Sequence, residues 1–270
     1  MLWKRIATAA VLLPLLVASI LYGKGQPLAW PFLLFAGIAV VLCAHEFLRM
    51  FLPASRDLFA GVLLASGIFF GGALLPCSLV LPAVLSCVLL AAYHALPGPS
   101  DPAEKVRKGA TLVLVAVYVG GLLSMYPRVL FLPRGEFWVL LGVLSVSVGD
   151  TFAYGAGKAF GKQKLAPVLS PNKTVEGALG GLLGSVACAV LCGLAFLPAI
   201  PAWYAAAAGL AVGVTGQAGD LFESMLKRAA GVKDSGTLFP GHGGMFDRAD
   251  AILAAGPPLY LLAAMSPLAG

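Results

Sequence analysis

The chain has 270 residues, of which 60% are hydrophobic and only 11% are charged, whereas a soluble domain carries roughly 25% charged residues. A chain of this length cannot enclose so much apolar surface within protein alone, so soluble globular, disordered and fibrous classes are excluded and lipid must cover the remainder. The net charge of +6 does not point to nucleic acid, because the cations sit between apolar runs and not on a folded polar surface.

In chain order, nine stretches are long and apolar enough, or nearly so, to cross a ~30 Å bilayer core as helices. They are Ile6 to Tyr22, Leu28 to Ala44, Leu58 to Leu75, Leu79 to Leu96, Ala110 to Tyr126, Phe137 to Ala156, Ala178 to Pro198, Ala202 to Ala218 and Ala251 to Leu268. The expected fold is therefore an all-α polytopic membrane protein. Lys4 and Arg5 precede the first run as they would in a signal peptide, but no small-residue cleavage site follows, so the run is read as a retained helix. The sixth run is interrupted by Asp150. Cys43, Cys77, Cys87, Cys188 and Cys192 mostly lie inside these runs and read as small buried hydrophobes. Cys188 and Cys192 share a helix face, with no His or third thiol nearby in sequence to complete a metal site.

Nine spans put the termini on opposite sides of the membrane. With the N-terminus inside, 15 of the 18 Lys and Arg fall on inner segments and only Lys24, Arg128 and Arg134 outside, so the positive-inside rule selects a cytoplasmic N-terminus. Residues 1–126 read as an N-terminal region of about five helices. Residues 127–270 read as a C-terminal region with two polar inner loops, 158–177 and 219–250. Long ordered loops are usually functional.

Asp220, Glu223, Ser224 and Lys227 stand at i, i+3, i+4 and i+7, so they share one face if the eighth helix continues beyond the membrane. A plain alternative is a solvated helix end with a Glu223–Lys227 pair. The stretch that follows sets Lys227, Arg228, Lys233 and Arg248 with Asp234, Asp247 and Asp250 around the turn Pro240, Gly241, His242, Gly243, Gly244. Glycines let backbone N–H groups approach an anion. Hard oxygen ligands beside clustered cations suit a Mg²⁺-bound polyphosphate. No Walker A, GxGxxG or HExxH sequence appears.

These residues carry a resemblance. The stretch from Ser224 to Asp250 is similar to the C-terminal signature of the phosphatidate cytidylyltransferases, integral-membrane enzymes that make CDP-diacylglycerol. The matching positions are Ser224, Lys227, Arg228, Lys233, Asp234, Gly236, His242, Gly243, Gly244, Asp247, Arg248 and Asp250. Ala249 departs from the family's larger hydrophobe, a change of packing. Upstream, DTFAYGAGKAFGKQKLAPVLSPNKTVEG, Asp150 to Gly177, resembles the same family's SPxKTxEG loop and the acidic helix before it. Glu46, at the inner end of the second span, falls where such enzymes often carry an acidic residue.

The resemblance implies transfer of CMP from CTP to phosphatidate, with Mg²⁺ (or Mn²⁺) and a second cation, K⁺, as a candidate. It makes Asp220 and Asp247 the leading metal ligands, with Asp250, Glu223 and Asp150 as further ligands. Lys173, Lys227, Arg228, Lys233 and Arg248 would neutralise the triphosphate and lipid phosphate, and Ser224, His242 and Ser170 would orient substrate. Ser170 before Pro171 also reads as a helix N-cap with proline at the first helical position. The implied setting is a bacterial inner membrane with the site facing the cytoplasm, in contact with membrane lipid and no nucleic acid, and a homodimer is compatible with the small residues of the spans. The rival is a transporter using Asp150 and Glu46 as an ion path. Against it, charge concentrates in the two loops and not at mid-membrane.

Overall fold

The computed structural model describes residues 14–98, 101–239 and 243–268. The helices are α1 (Pro14–Gly23), α2 (Trp30–Phe51), α3 (Ser55–Leu74), α4 (Cys77–Ala95), α5 (Pro102–Val115), α6 (Met125–Phe131), α7 (Gly135–Phe160), α8 (Val175–Phe196), α9 (Ala202–Ala229) and α10 (Phe246–Ala264). A short antiparallel hairpin, β1 (Lys164–Ala166) and β2 (Ser170–Thr174), joins α7 to α8. The expectation of an almost wholly helical protein is met.

Among the described residues, six helical segments are long and apolar enough to cross a membrane: Pro27–Phe51, Ser55–Leu74, Ser78–Ala95, Pro102–Phe131, Gly135–Phe160 and Val175–Phe196. α9 is less apolar because alanine and glycine dominate it and Thr215 and Gln217 interrupt it. α10 opens with Asp247, Arg248 and Asp250 and contains Pro257 and Pro258. Of the first expected span only the part from Pro14 onward lies within the described residues.

Local sequence explains where helices begin. α5 starts at Pro102 behind Asp101, whose carboxylate accepts the Ala103 N–H at 3.2 Å. Past Val115 the helix widens into a π-type segment, Ala116–Gly121, before continuing towards α6. Tyr118, on that segment, packs its ring 4.8 Å from Phe222 of α9 and 6.2 Å from Phe246 of α10. α7, α8 and α9 pack side by side through small residues. The Ser185 hydroxyl donates to the Ser145 carbonyl at 2.9 Å, and the Gln217 amide to the Ala178 carbonyl at 3.0 Å.

Successive apolar segments reverse direction, α5 and α6 forming one of them, so the C-terminal ends of α2, α7 and α9 gather with the starts of α8 and α10 at one end of the bundle. At the other end stand the three cations of the minority side. Lys24 donates to the carbonyls of Leu130 (2.7 Å) and Leu132 (2.6 Å), Arg128 to those of Gly72 and Leu75, and Arg134 to that of Phe196. Each satisfies carbonyls near a helix C-terminus, where a cation is favoured.

Two local expectations are corrected and a third is met. Asp150 sits within a continuous helix, as its place in the sixth run implied, and α7 runs on past that run to Phe160. The polar stretch 219–250 is not all loop, since α9 stays helical to Ala229. Ser170 is not a helix N-cap: it opens β2, and Thr174 caps α8 instead, its hydroxyl accepting the Gly177 N–H at 3.1 Å. The hairpin is held by the Glu176 carboxylate, which accepts the Lys162 N–H at 3.0 Å.

Candidate active site

Because α9 remains helical beyond its apolar part, Asp220, Glu223 and Lys227 fall on one face at the polar end of the bundle. Lys173, carried there by β2, lies 2.6 Å from Asp220. Lys227 bridges two carboxylates, Glu223 at 2.6 Å and Asp247 at 2.7 Å. The other Asp247 oxygen accepts the Ser235 N–H (2.9 Å), the Ser235 hydroxyl (2.9 Å) and the Gly244 N–H (2.7 Å). Asp247 thus spends both oxygens on protein donors, tying the loop before α10 to α9.

Carboxylate oxygens of Asp220, Glu223 and Asp250 lie within 4.8 Å of one another. Oxygens set this close are within reach of a single hard cation, since metal–oxygen distances run about 2.0–2.6 Å for Mg²⁺ and Ca²⁺. Glu223 is only 1% exposed and its Oε1 has no hydrogen-bond partner. A buried carboxylate oxygen left unpaired is costly, and a bound cation would satisfy it. The hard, all-oxygen donor set therefore fits a divalent cation of the Mg²⁺ type.

Glu223 and Asp247 lie beyond the apolar stretches of their helices, and their electrostatics diverge. Burial pushes the Glu223 carboxyl up, to about 8, with Lys227 opposing and Asp250 adding to the rise. For Asp247 burial also pushes upward, but Lys227 and the Gly244 N–H outweigh it and hold the carboxyl at about 2. The contrast separates a carboxyl whose burial outweighs its one cationic partner from one whose partners outweigh its burial.

These groups line a polar pocket of about 770 Å³ together with Asp150, Lys233, Asp234 and Arg248. A side lobe of about 420 Å³ shares Asp150 and Asp220 with it and is bounded by Lys173, Asn172, Tyr154 and Gln217. Of the residues singled out in the sequence, Asp150, Asp220, Glu223, Lys227, Lys233, Asp247, Arg248 and Asp250 meet at this pocket, and Lys173 reaches it through Asp220. Ser224, Arg228 and Ser170 do not line it. Arg228 is exposed and donates to the Leu169 and Val232 carbonyls, each at 3.3 Å, joining the end of α9 to the hairpin turn. His242 lies outside the described residues.

Glu46 has a larger part than the sequence suggested. Buried near the end of α2, it accepts the Ser235 hydroxyl (3.0 Å) and the N–H groups of Met245 (3.0 Å) and Phe246 (2.9 Å). α10 has no side-chain cap of its own at Met245, so a carboxylate from a distant helix supplies it. A Cβ on Gly244 would run into that carboxylate, and Gly243 adopts the left-handed φ of +78° that closes the turn. Glu46→Ala leaves the Met245 and Phe246 N–H groups without their acceptor, while the Ser235 hydroxyl keeps Asp247, and is expected to cost about 3 kcal/mol of stability. An unchanged thermal unfolding midpoint in detergent would show that the clasp is dispensable.

A second charged cluster ties α3, α4 and α5 together outside the pocket. Asp57 pairs with His94 at 2.9 Å and Lys108 at 2.6 Å. Cys43, Cys87 and Cys192 are buried, as expected, and Cys188 is half-buried; all four are free thiols.

The description of the cytidylyltransferase family matches residues 3–266 of the chain. The chain is 37% identical over 184 residues to the phosphatidate cytidylyltransferase of Bacillus subtilis (strain 168), a match covering 68% of this chain and 67% of that protein. It is 44% identical over 133 residues to the phosphatidate cytidylyltransferase of Staphylococcus aureus (strain COL), covering 48% and 50%. A Mycobacterium bovis protein of the same name is 32% identical over 170 residues, covering 63% and 55%. These matches span from half to two thirds of the relatives' lengths. Taken with the family match, which runs almost from end to end, they establish that the chain belongs to the cytidylyltransferase family.

Proposed function

We propose that the protein transfers the CMP moiety of CTP to phosphatidate, giving CDP-diacylglycerol and pyrophosphate. The observation that carries this reading is the meeting of Asp220, Glu223 and Asp250 with Lys227, Lys233 and Arg248 in one polar pocket at the end of an apolar bundle. A polyanion that arrives with a divalent cation needs both kinds of group. The names of the relatives supply the substrates, and the apolar helices suit a lipid acceptor.

In the reaction a phosphate oxygen of phosphatidate attacks the α-phosphorus of CTP, the bond from that phosphorus to the bridging oxygen breaks, and pyrophosphate leaves. The attacking oxygen is already anionic, so no side chain has to remove a proton. The work of the chain is to bring two polyanions together and to offset the charge that grows on the leaving group. Asp220, Glu223 and Asp250 would hold Mg²⁺, with Mn²⁺ able to replace it, and Asp150 stands close enough to the pocket to join the outer ligands. A divalent cation there supplies Lewis acidity and charge neutralisation to the phosphate oxygens. Lys173, Lys233 and Arg248 hold the remaining phosphate charge. Asp247 fixes Lys227 and the loop before α10, and serves as a metal ligand only if Lys227 releases one of its oxygens. The amides of Asn172 and Gln217 suit the side lobe to the nucleoside. K⁺ is retained as a candidate second cation.

The same reading carries the finer topology: nine spans, a cytoplasmic N-terminus, and a site open to the cytoplasm of a bacterial inner membrane, with a homodimer as the assembly. The excess of inner Lys and Arg supports the orientation. The test is to supply purified protein with CTP labelled in the α-phosphate, phosphatidate and Mg²⁺. Label is expected in the lipid phase with one pyrophosphate released per label. Pyrophosphate without lipid label, or no turnover at all, would overturn the proposal.

A further inference from the structure

Beside the polar pocket lies a second cavity of about 300 Å³, enclosed by α1, α2, α6, α7 and α10. Leu16, Phe32, Ala36, Ala39, Val143 and Ile252 give it walls that are almost wholly hydrocarbon. Arg248 lines both spaces. The first turns of α10 divide them: Met245, Arg248, Ala249 and Ile252, at i, i+3, i+4 and i+7, face the apolar cavity, while Asp247 and Asp250 face the polar one. Ala36 and Ala39, one turn apart on α2, leave the space that larger side chains would fill. A hydrocarbon slot that opens beside a guanidinium is complementary to one kind of molecule, an anionic headgroup carrying an alkyl chain.

We propose that this cavity receives one acyl chain of the phosphate lipid, with its phosphate at Arg248 on the threshold of the polar pocket. The inference rests on the proposed cytidylyl transfer and names the lipid subsite of that reaction. It makes α2 a determinant of acceptor chain length, although α2 contributes no group to the phosphate chemistry.

The test compares dioleoyl with dihexanoyl phosphatidate, at saturating CTP and Mg²⁺, in wild type, Ala36→Leu, Ala39→Leu and Leu34→Phe, the last on an exposed position of the same helix. Filling the cavity is expected to raise the KM for dioleoyl phosphatidate tenfold or more, leaving the kcat/KM for dihexanoyl phosphatidate, and the KM for CTP in a separate series with CTP varied, within about twofold of wild type. Leu34→Phe should change neither. If the two lipids lose activity in parallel, or neither is affected, the inference is overturned while the proposed function stands. If wild type transfers CMP to neither lipid, the proposed function is overturned and the inference with it. A second measurement needs no variant: phosphatidate with a photoreactive acyl terminus should label peptides containing Phe32 or Ile252, and labelling confined to other peptides would overturn the inference.

Discussion

Asp220→Asn is expected to lower CMP transfer into lipid at least a thousandfold, about 4 kcal/mol of transition-state stabilisation. The amide keeps the shape of the side chain and removes its charge. That charge stands in the oxygen cluster with Glu223 and Asp250 and also holds Lys173 at 2.6 Å, so one change weakens both the proposed cation site and a proposed phosphate contact. Asp220 is one-third exposed and its ion pair is with partly exposed Lys173, so its loss costs the fold little. The purified mutant should therefore melt close to wild type while losing turnover. Activity within tenfold of wild type would remove Asp220 from the metal site.

Lys227→Met is expected to damage both folding and catalysis. Lys227 is 14% exposed and lies between Glu223, 1% exposed, and Asp247, 6% exposed. Without it two buried carboxylates are left facing each other, and removing one partner of a buried ion pair typically costs about 3–5 kcal/mol. A double variant separates the two effects. Lys227→Met with Glu223→Gln should recover much of the lost melting temperature, because the uncompensated charge is reduced, yet it should not recover transfer, because a cation and one carboxylate of the proposed metal site are both gone. Recovery of transfer alongside stability would reduce Lys227 to a structural part.

The apolar runs located the helices to within a few residues at most ends, because lipid demands unbroken hydrophobic length. The main exceptions are the end of α9, expected at Ala218 and found at Ala229, the start of α5, expected at Ala110 and found at Pro102, and the end of α2, expected at Ala44 and found at Phe51. Glu46 and Arg49 look like a boundary in the sequence, but Glu46 stays buried because donors from the distant loop satisfy it. That partnership joins positions 189 residues apart, and no local pattern announces it. The row Asp220, Glu223, Lys227 was legible from helical spacing alone, whereas its meeting with Asp250 was only implied by the family resemblance of the two stretches. The occupation of both Asp247 oxygens was not, since it depends on how the loop through Ser235 and Gly244 folds back. Ser170 before Pro171 gave a true local signal for a helix start, and pairing of β1 with β2 overrode it.

The Glu46 clasp also bears on how this chain can be cut. The carboxylates of the polar pocket all come from α7, α9 and the α10 region, which invites the idea of a minimal catalytic piece made from the second half alone. Such a piece would lack the acceptor for the first N–H groups of α10, and the helix carrying Asp250 and Arg248 would begin frayed. The catalytic end is therefore a joint product of both halves, and trimming from the amino side disables it well before any reactive group is removed.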